Sequence, residues 1–174
     1  MRQALRRTAA LAAFAAALVL AWPAWAAAPA APLTAAGLKA ELARLRGQVV
    51  VLNFWGTWCS PCLKELPELI TLERELAPRG VRLVAVAMDD AADIGMVESF
   101  RSKFFPALST WVRDEPDMDT LASAVDPAWN ELLPTTYLIG RDGNVARRIQ
   151  GRKTLEEFRA EVLALAGPPA PRKP

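Results

Sequence analysis

The sequence predicts an α/β domain, a central mixed β-sheet flanked by helices, and three patterns carry that expectation. Val49-Val50-Val51-Leu52-Asn53-Phe54-Trp55 is a near-continuous β-branched and aromatic run, as expected of a strand covered on both faces. Residues 60–77 then place Leu63, Leu66, Leu69, Ile70, Leu72 and Leu76 at helical spacing, and an apolar strand follows over 81–88. Further on, Thr135-Thr136-Tyr137-Leu138-Ile139, a turn at Arg141-Asp142-Gly143-Asn144 and a return strand over 145–150 read as a β-hairpin. Strand, helix and strand followed by a hairpin and a final helix imply a mixed sheet with helices packed against it.

The remaining elements are set by their caps and stops. After a short Ala/Pro linker, Leu38, Leu42 and Leu45 predict an amphipathic helix over 34–46, with Thr34 as cap and Gly47 as stop. Pro78-Arg79-Gly80 ends the helix that begins at Ser60, and Pro67 inside it is expected to kink it. Asp93 is placed to cap a helix reaching Phe105, with Pro106 ending it. Between 107 and 133, Trp111, Leu121 and Trp129 give no clean period, and a short strand followed by a helix near 119–125 is the expectation. Thr154 with Glu157 makes a capping box for a last helix carrying Leu155, Phe158, Val162 and Leu165. There is no internal repeat.

The first residues bear on the compartment. Arg2, Arg6 and Arg7 form a basic start, and the uncharged Ala/Leu/Val-rich stretch that follows is broken at Pro23. Ala24-Trp25-Ala26 offers small residues where a signal peptidase reads, so residues 1–26 are expected to be a signal peptide cleaved before Ala27, for export to the periplasm. The alternative is an uncleaved inner-membrane anchor facing the periplasm, although a spanning helix needs about 20 apolar residues and this run is shorter. Cleavage leaves 148 of the 174 residues, a length for one domain, here expected over 27–166, with a Pro-rich disordered tail over 167–174. The leader takes three arginines with it, leaving 18 basic against 19 acidic groups, so nothing in the charge balance argues for nucleic acid.

Cys59 and Cys62 are the only cysteines, three apart at the join of a buried strand and a helix. A disulfide across so small a loop removes little chain entropy, about 2 kcal/mol against about 5 for a loop of about 100 residues, so stabilising the fold is a poor reason for it. The helix start offers unpaired N–H groups and the positive end of the dipole, which favour a thiolate. Cys59 is therefore the expected nucleophile, and Cys62, one turn inside, the thiol that resolves the mixed disulfide. Zinc normally needs four ligands and the chain has no His; haem attachment needs His after the second Cys, where Leu63 stands. No metal or other cofactor is expected. A purely structural disulfide in an oxidising compartment is the bland alternative.

The segment Asn53-Phe54-Trp55-Gly56-Thr57-Trp58-Cys59-Ser60-Pro61-Cys62-Leu63-Lys64-Glu65-Leu66-Pro67 closely resembles the active-site stretch of TlpA/ResA-like thioredoxins, and Leu133-Pro134-Thr135-Thr136-Tyr137-Leu138-Ile139 with Arg141-Asp142-Gly143 resembles their second hallmark. The resemblance implies a thioredoxin-like fold and a periplasmic thiol:disulfide oxidoreductase. It implies that Pro134 is a cis-proline facing the cysteines, with the Leu133 backbone pairing to an incoming peptide; by itself, Pro134 could simply begin an edge strand. Pro61 fits the first turn of a helix and sits where a residue tunes the redox potential. Trp58 is expected to shape the contact surface and Trp55 to be core. Thioredoxin's buried Asp is replaced by Asn53, and Glu65, three residues after Cys62 on the same helix face, matches the acidic position of the ResA-like group. A general-base role follows for Glu65, against the plain reading of a solvated Glu favoured by the helix dipole. The resemblance is weakest where the chain inserts Asp126-Pro127-Ala128-Trp129-Asn130-Glu131.

Chemistry does not fix the direction of exchange, which depends on relative potentials. The resemblance favours a reductant of protein disulfides, kept dithiol by a membrane electron donor of the DsbD/CcdA type, with apocytochrome c and copper-site assembly proteins as usual target classes; a monomer is expected. The dedicated cytochrome c reductases carry an acid after the cis-proline where this chain has Thr135, which favours the generic group. The rivals are a thiol oxidase, a peroxidase, whose Pro-x-x-x-Thr-x-x-Cys signature is missing, and a Cu(I) metallochaperone holding the metal on two thiolates without a flanking His or Met.

Overall fold

The computed structural model describes residues 27–167; the expected signal segment and most of the expected tail lie outside them. The chain runs β1 (Ala31–Leu33), α1 (Ala35–Arg44), β2 (Val49–Trp55), α2 (Ser60–Leu76), β3 (Val81–Ala87), α3 (Ile94–Phe104), β4 (Thr110–Arg113), α4 (Met118–Ala122), β5 (Thr135–Ile139), β6 (Val145–Gln150) and α5 (Leu155–Ala166). Six strands form one sheet in the order β1-β4-β3-β2-β5-β6. The β1, β4, β3 and β2 neighbours pair in parallel, while β5 pairs antiparallel with both β2 and β6. This is the mixed sheet flanked by helices that the pattern predicts.

Strand β2 is buried at all seven positions, which explains its unbroken apolar run. Its alternation assigns the two faces. Val50, Leu52 and Phe54 pack with Leu38 of α1 and Leu121 of α4. Val49 and Val51 pack with Leu69, Leu72 and Leu76 of α2 and with Phe158 and Val162 of α5, and Trp55 packs with Leu66 of α2 and Val97 of α3. Asn53, between Val51 and Trp55 in this second set, therefore faces α2. That placement matters for the site.

Thr34 caps α1 by accepting from the Gly37 N–H, and the Thr154–Glu157 capping box of α5 is formed in both directions. Pro67 lies inside α2. Asp93 precedes α3 but makes no side-chain cap; a 3-10 turn over Ala91–Asp93 intervenes, and Asp90 caps that turn instead. Strand β1 replaces part of the expected Ala/Pro linker.

The inserted segment is anchored in the core. Trp129 is buried, meets Phe54 edge-on at 6.1 Å between ring centroids and donates from Nε1 to Thr135 Oγ1. Asp126 accepts from the Tyr137 hydroxyl and from Arg148, both at 2.9 Å. Trp129→Ala is expected to cost about 3–5 kcal/mol of unfolding free energy, read from denaturant midpoints at unchanged slope.

Candidate active site

The site forms where β2 gives way to α2. Met88 N–H bonds to Trp55 O at 2.7 Å, one residue beyond the paired strands, and the next residue, Asp89, takes over with its side chain. The buried Asp89 carboxylate accepts from Thr57 N–H at 3.1 Å and from the Thr57 hydroxyl, fixing the loop that delivers Cys59. Trp58 lies on the outside at 62% exposure, with its indole over Gly56, where any Cβ would come within 2.9 Å of the ring. Trp55 is core, as expected, and donates to Thr110 Oγ1.

Cys59 is the N-cap of α2, and its sulfur accepts from the Cys62 N–H at 3.3 Å, the position a capping oxygen normally fills. Ser60 and Pro61 complete the start of the helix, with Pro61 exposed and Cys62 at the third position. The two cysteines form a disulfide with Cα atoms 5.2 Å apart. Cys59 keeps 5% of its surface exposed and Cys62 only 1%, so Cys59 is the more accessible of the two. No acid stands in the first turn to oppose a thiolate at Cys59.

The Leu133–Pro134 peptide bond is cis, and Leu133 packs into the apolar cluster that contains Cys59 and Cys62. Glu131 at the base of this loop adopts a left-handed φ of 58°, a conformation unusual for a non-glycine residue. Leu132 beside it is exposed. Trp58, the disulfide, Leu133 and Pro134 thus come from the two loops that the sequence singled out.

On α2, three residues after Cys62, Glu65 is 1% exposed. Its Oε1 accepts from Asn53 Nδ2 at 3.1 Å and, weakly, from Thr136 Oγ1 at 3.5 Å; its Oε2 accepts from the Lys153 backbone N–H at 2.9 Å. Burial pushes its pKa up to about 7, and these donors together with Arg152 only partly offset that. A solvated surface Glu is excluded. Sequence reasoning missed Asp89, whose signal was an acid directly after a buried strand, and Lys153, whose backbone contact leaves no sequence trace. Among the described residues no group of three or more His, Cys, Asp or Glu could hold a metal ion, and no helix is long and apolar enough to cross a membrane.

A helix-capping disulfide beside a cis-proline loop, on a mixed sheet flanked by helices, defines the thioredoxin-fold class. The chain belongs to the AhpC/TSA family, whose model matches residues 24–148. It is 37% identical over 124 residues to the thiol-disulfide oxidoreductase ResA of Bacillus thuringiensis (strain Al Hakam), a match spanning 70% of this chain and 66% of that protein. Its fold matches a thiol:disulfide interchange protein of Chlorobium tepidum TLS (TM-score 0.61, 25% identity, 72% of this chain and 84% of the other). A secreted Mycobacterium tuberculosis disulfide oxidoreductase matches at a TM-score of 0.56 and 26% identity, over 71% of this chain and 86% of the other.

Proposed function

We propose that this protein is a thiol:disulfide oxidoreductase that reduces disulfides in other exported proteins. The observation that carries the reading is the Cys59–Cys62 disulfide at the N-terminus of α2, with Glu65 buried on the same helix three residues after Cys62. In the dithiol form, the Cys59 thiolate attacks one sulfur of a target disulfide, forming a mixed disulfide and releasing the first target thiolate. Cys62 then loses its proton to Glu65 and attacks the Cys59 sulfur. The second target thiolate leaves, two electrons have passed to the target, and the internal disulfide remains. A membrane dithiol donor of the DsbD/CcdA type restores the dithiol. Extended substrate backbone pairs at Leu133, beside Pro134, with Trp58 and Pro61 forming the apolar rim.

A periplasmic setting is supported by the leader pattern and by the secreted Mycobacterium relative. The peroxidase reading is not favoured, because Leu52 and Gly56 stand where a peroxidatic Cys59 would need Pro and Thr. Catalytic amounts of the protein are expected to accelerate reduction of insulin disulfides by a small dithiol. No turnover above the dithiol alone would overturn the enzyme reading. Thiol trapping in the native compartment is expected to find Cys59 and Cys62 as the dithiol; a persistent disulfide would reverse the direction.

A further inference from the structure

Each hydrogen-bond partner of the Glu65 carboxylate is a donor. Asn53 gives an amide N–H, Thr136 a hydroxyl and Lys153 a backbone N–H. Asn53 gains its position from strand register: it stands opposite Thr136 on β5, on the face of β2 turned to α2, and is 1% exposed. Its second amide hydrogen goes to Thr136 Oγ1 at 2.9 Å, so both hydrogens of Nδ2 are used. Its carbonyl oxygen Oδ1 is buried with no partner. An unpaired buried acceptor is costly and is normally avoided. Turning the amide over would set Oδ1 against a carboxylate oxygen, acceptor against acceptor, while Glu65 is ionised.

We propose that Asn53 is a positioning residue that holds Glu65 in its proton-accepting form and sets how tightly it keeps a proton, with the orphaned Oδ1 reserved for the protonated state. When Glu65 acquires a proton, its O–H requires an acceptor that the present amide orientation does not supply. A half-turn of the Asn53 amide brings Oδ1 to that proton, and both protonation states then have a partner, at the expense of leaving Nδ2 unpaired. The amide therefore favours release of the proton without forbidding its arrival. This explains why the position carries Asn: a carboxylate within 3.1 Å of Glu65 would force the pair to share a proton.

The other charged groups around Glu65 are already engaged. Arg152 pairs with Glu68, Lys153 pairs with Glu157, and Glu68 also accepts from the Leu155 N–H. Cys62, one turn earlier on α2, and Glu68, one turn later, share the helix face that carries Glu65. The inference rests on the general-base reading of Glu65 for its functional meaning, but it is measurable apart from it.

The test is a carbon-13 NMR titration of the Glu65 side-chain carboxyl in the reduced protein, beside the pH profile of mixed-disulfide resolution by Cys62. Asn53→Leu removes the donor without adding charge and is expected to raise the Glu65 midpoint by about one pH unit, a tenfold gain in proton affinity. Asn53→Asp is expected to split the titration into two steps, the upper one above the parent value. Thr136→Val, which removes a single weaker donor, is expected to move the midpoint in the same direction by less, and provides the measurement should a substitution at Asn53 fail to fold. Midpoints unchanged within about 0.3 unit in the folded variants would overturn the role of Asn53. Midpoints that move while the resolution profile stays still would uphold it and remove Glu65 as the base of Cys62.

Discussion

Cys59→Ser is expected to abolish disulfide exchange, while Cys62→Ser leaves a protein that still attacks its targets once and then stalls. The asymmetry follows from the helix start. The Cys59 sulfur sits at the N-cap of α2, receives the Cys62 N–H and faces no acid in the first turn. A thiolate there is stabilised by the same groups that a capping oxygen would satisfy. Serine keeps the cap but stays protonated at neutral pH and cannot attack sulfur. The loss should approach the roughly 10⁶-fold scale on which removal of a nucleophile acts in other enzymes. Without Cys62, the mixed disulfide has no internal thiol to resolve it, and covalent adducts with target proteins should accumulate on non-reducing gels. Adducts trapped by Cys59→Ser instead would exchange the two roles.

Glu65→Gln is expected to slow resolution by about 100-fold near neutral pH and to make the protein more stable, a combination that a purely structural Glu would not give. Burial raises the Glu65 pKa to about 7 from an ordinary 4.5, so the folded state binds a proton more tightly than the unfolded chain does. Stability therefore falls as pH rises from about 4.5 to about 7, and above that the ionised buried carboxylate is a fixed burden. Glutamine keeps an acceptor oxygen without the charge. Its advantage over the parent should be negligible at pH 4 and grow to the order of 3 kcal/mol by pH 8, read as the difference in denaturant-unfolding free energy. A substitution that destabilises equally at both pH values would make Glu65 a structural hydrogen-bonding residue.

Much of this site is legible in the sequence because it is local. The Cys59–Cys62 spacing, the helix beginning at Ser60 and the alternation of β2 place both sulfurs and Asn53 with no reference to distant residues. The Thr154 capping box and the hairpin at Asp142-Gly143 are likewise short-range patterns, and both are found where expected. What escaped depends on partners far along the chain. Ala31-Pro32-Leu33 has no strand propensity to speak of, and is a strand only because β4 lies alongside it. Trp129 lacks periodic neighbours, and its burial is decided by Phe54 and Thr135. Asp89 reads as one half of an acidic pair after a strand; only the fold shows that it grips Thr57 while Asp90 caps the following turn.

The two outer strands have a bearing on life in a crowded compartment. β1 is three residues long and includes Pro32, which has no N–H to offer. β6 carries Arg147 and Arg148, tied by ion pairs to Glu161 and Asp126, and its register with β5 shifts near Leu138. An exposed sheet edge with a full row of free N–H and C=O groups is a template on which another extended chain can pair, as the first layer of an aggregate. Both margins are poor templates, so neither edge of the sheet invites a further strand.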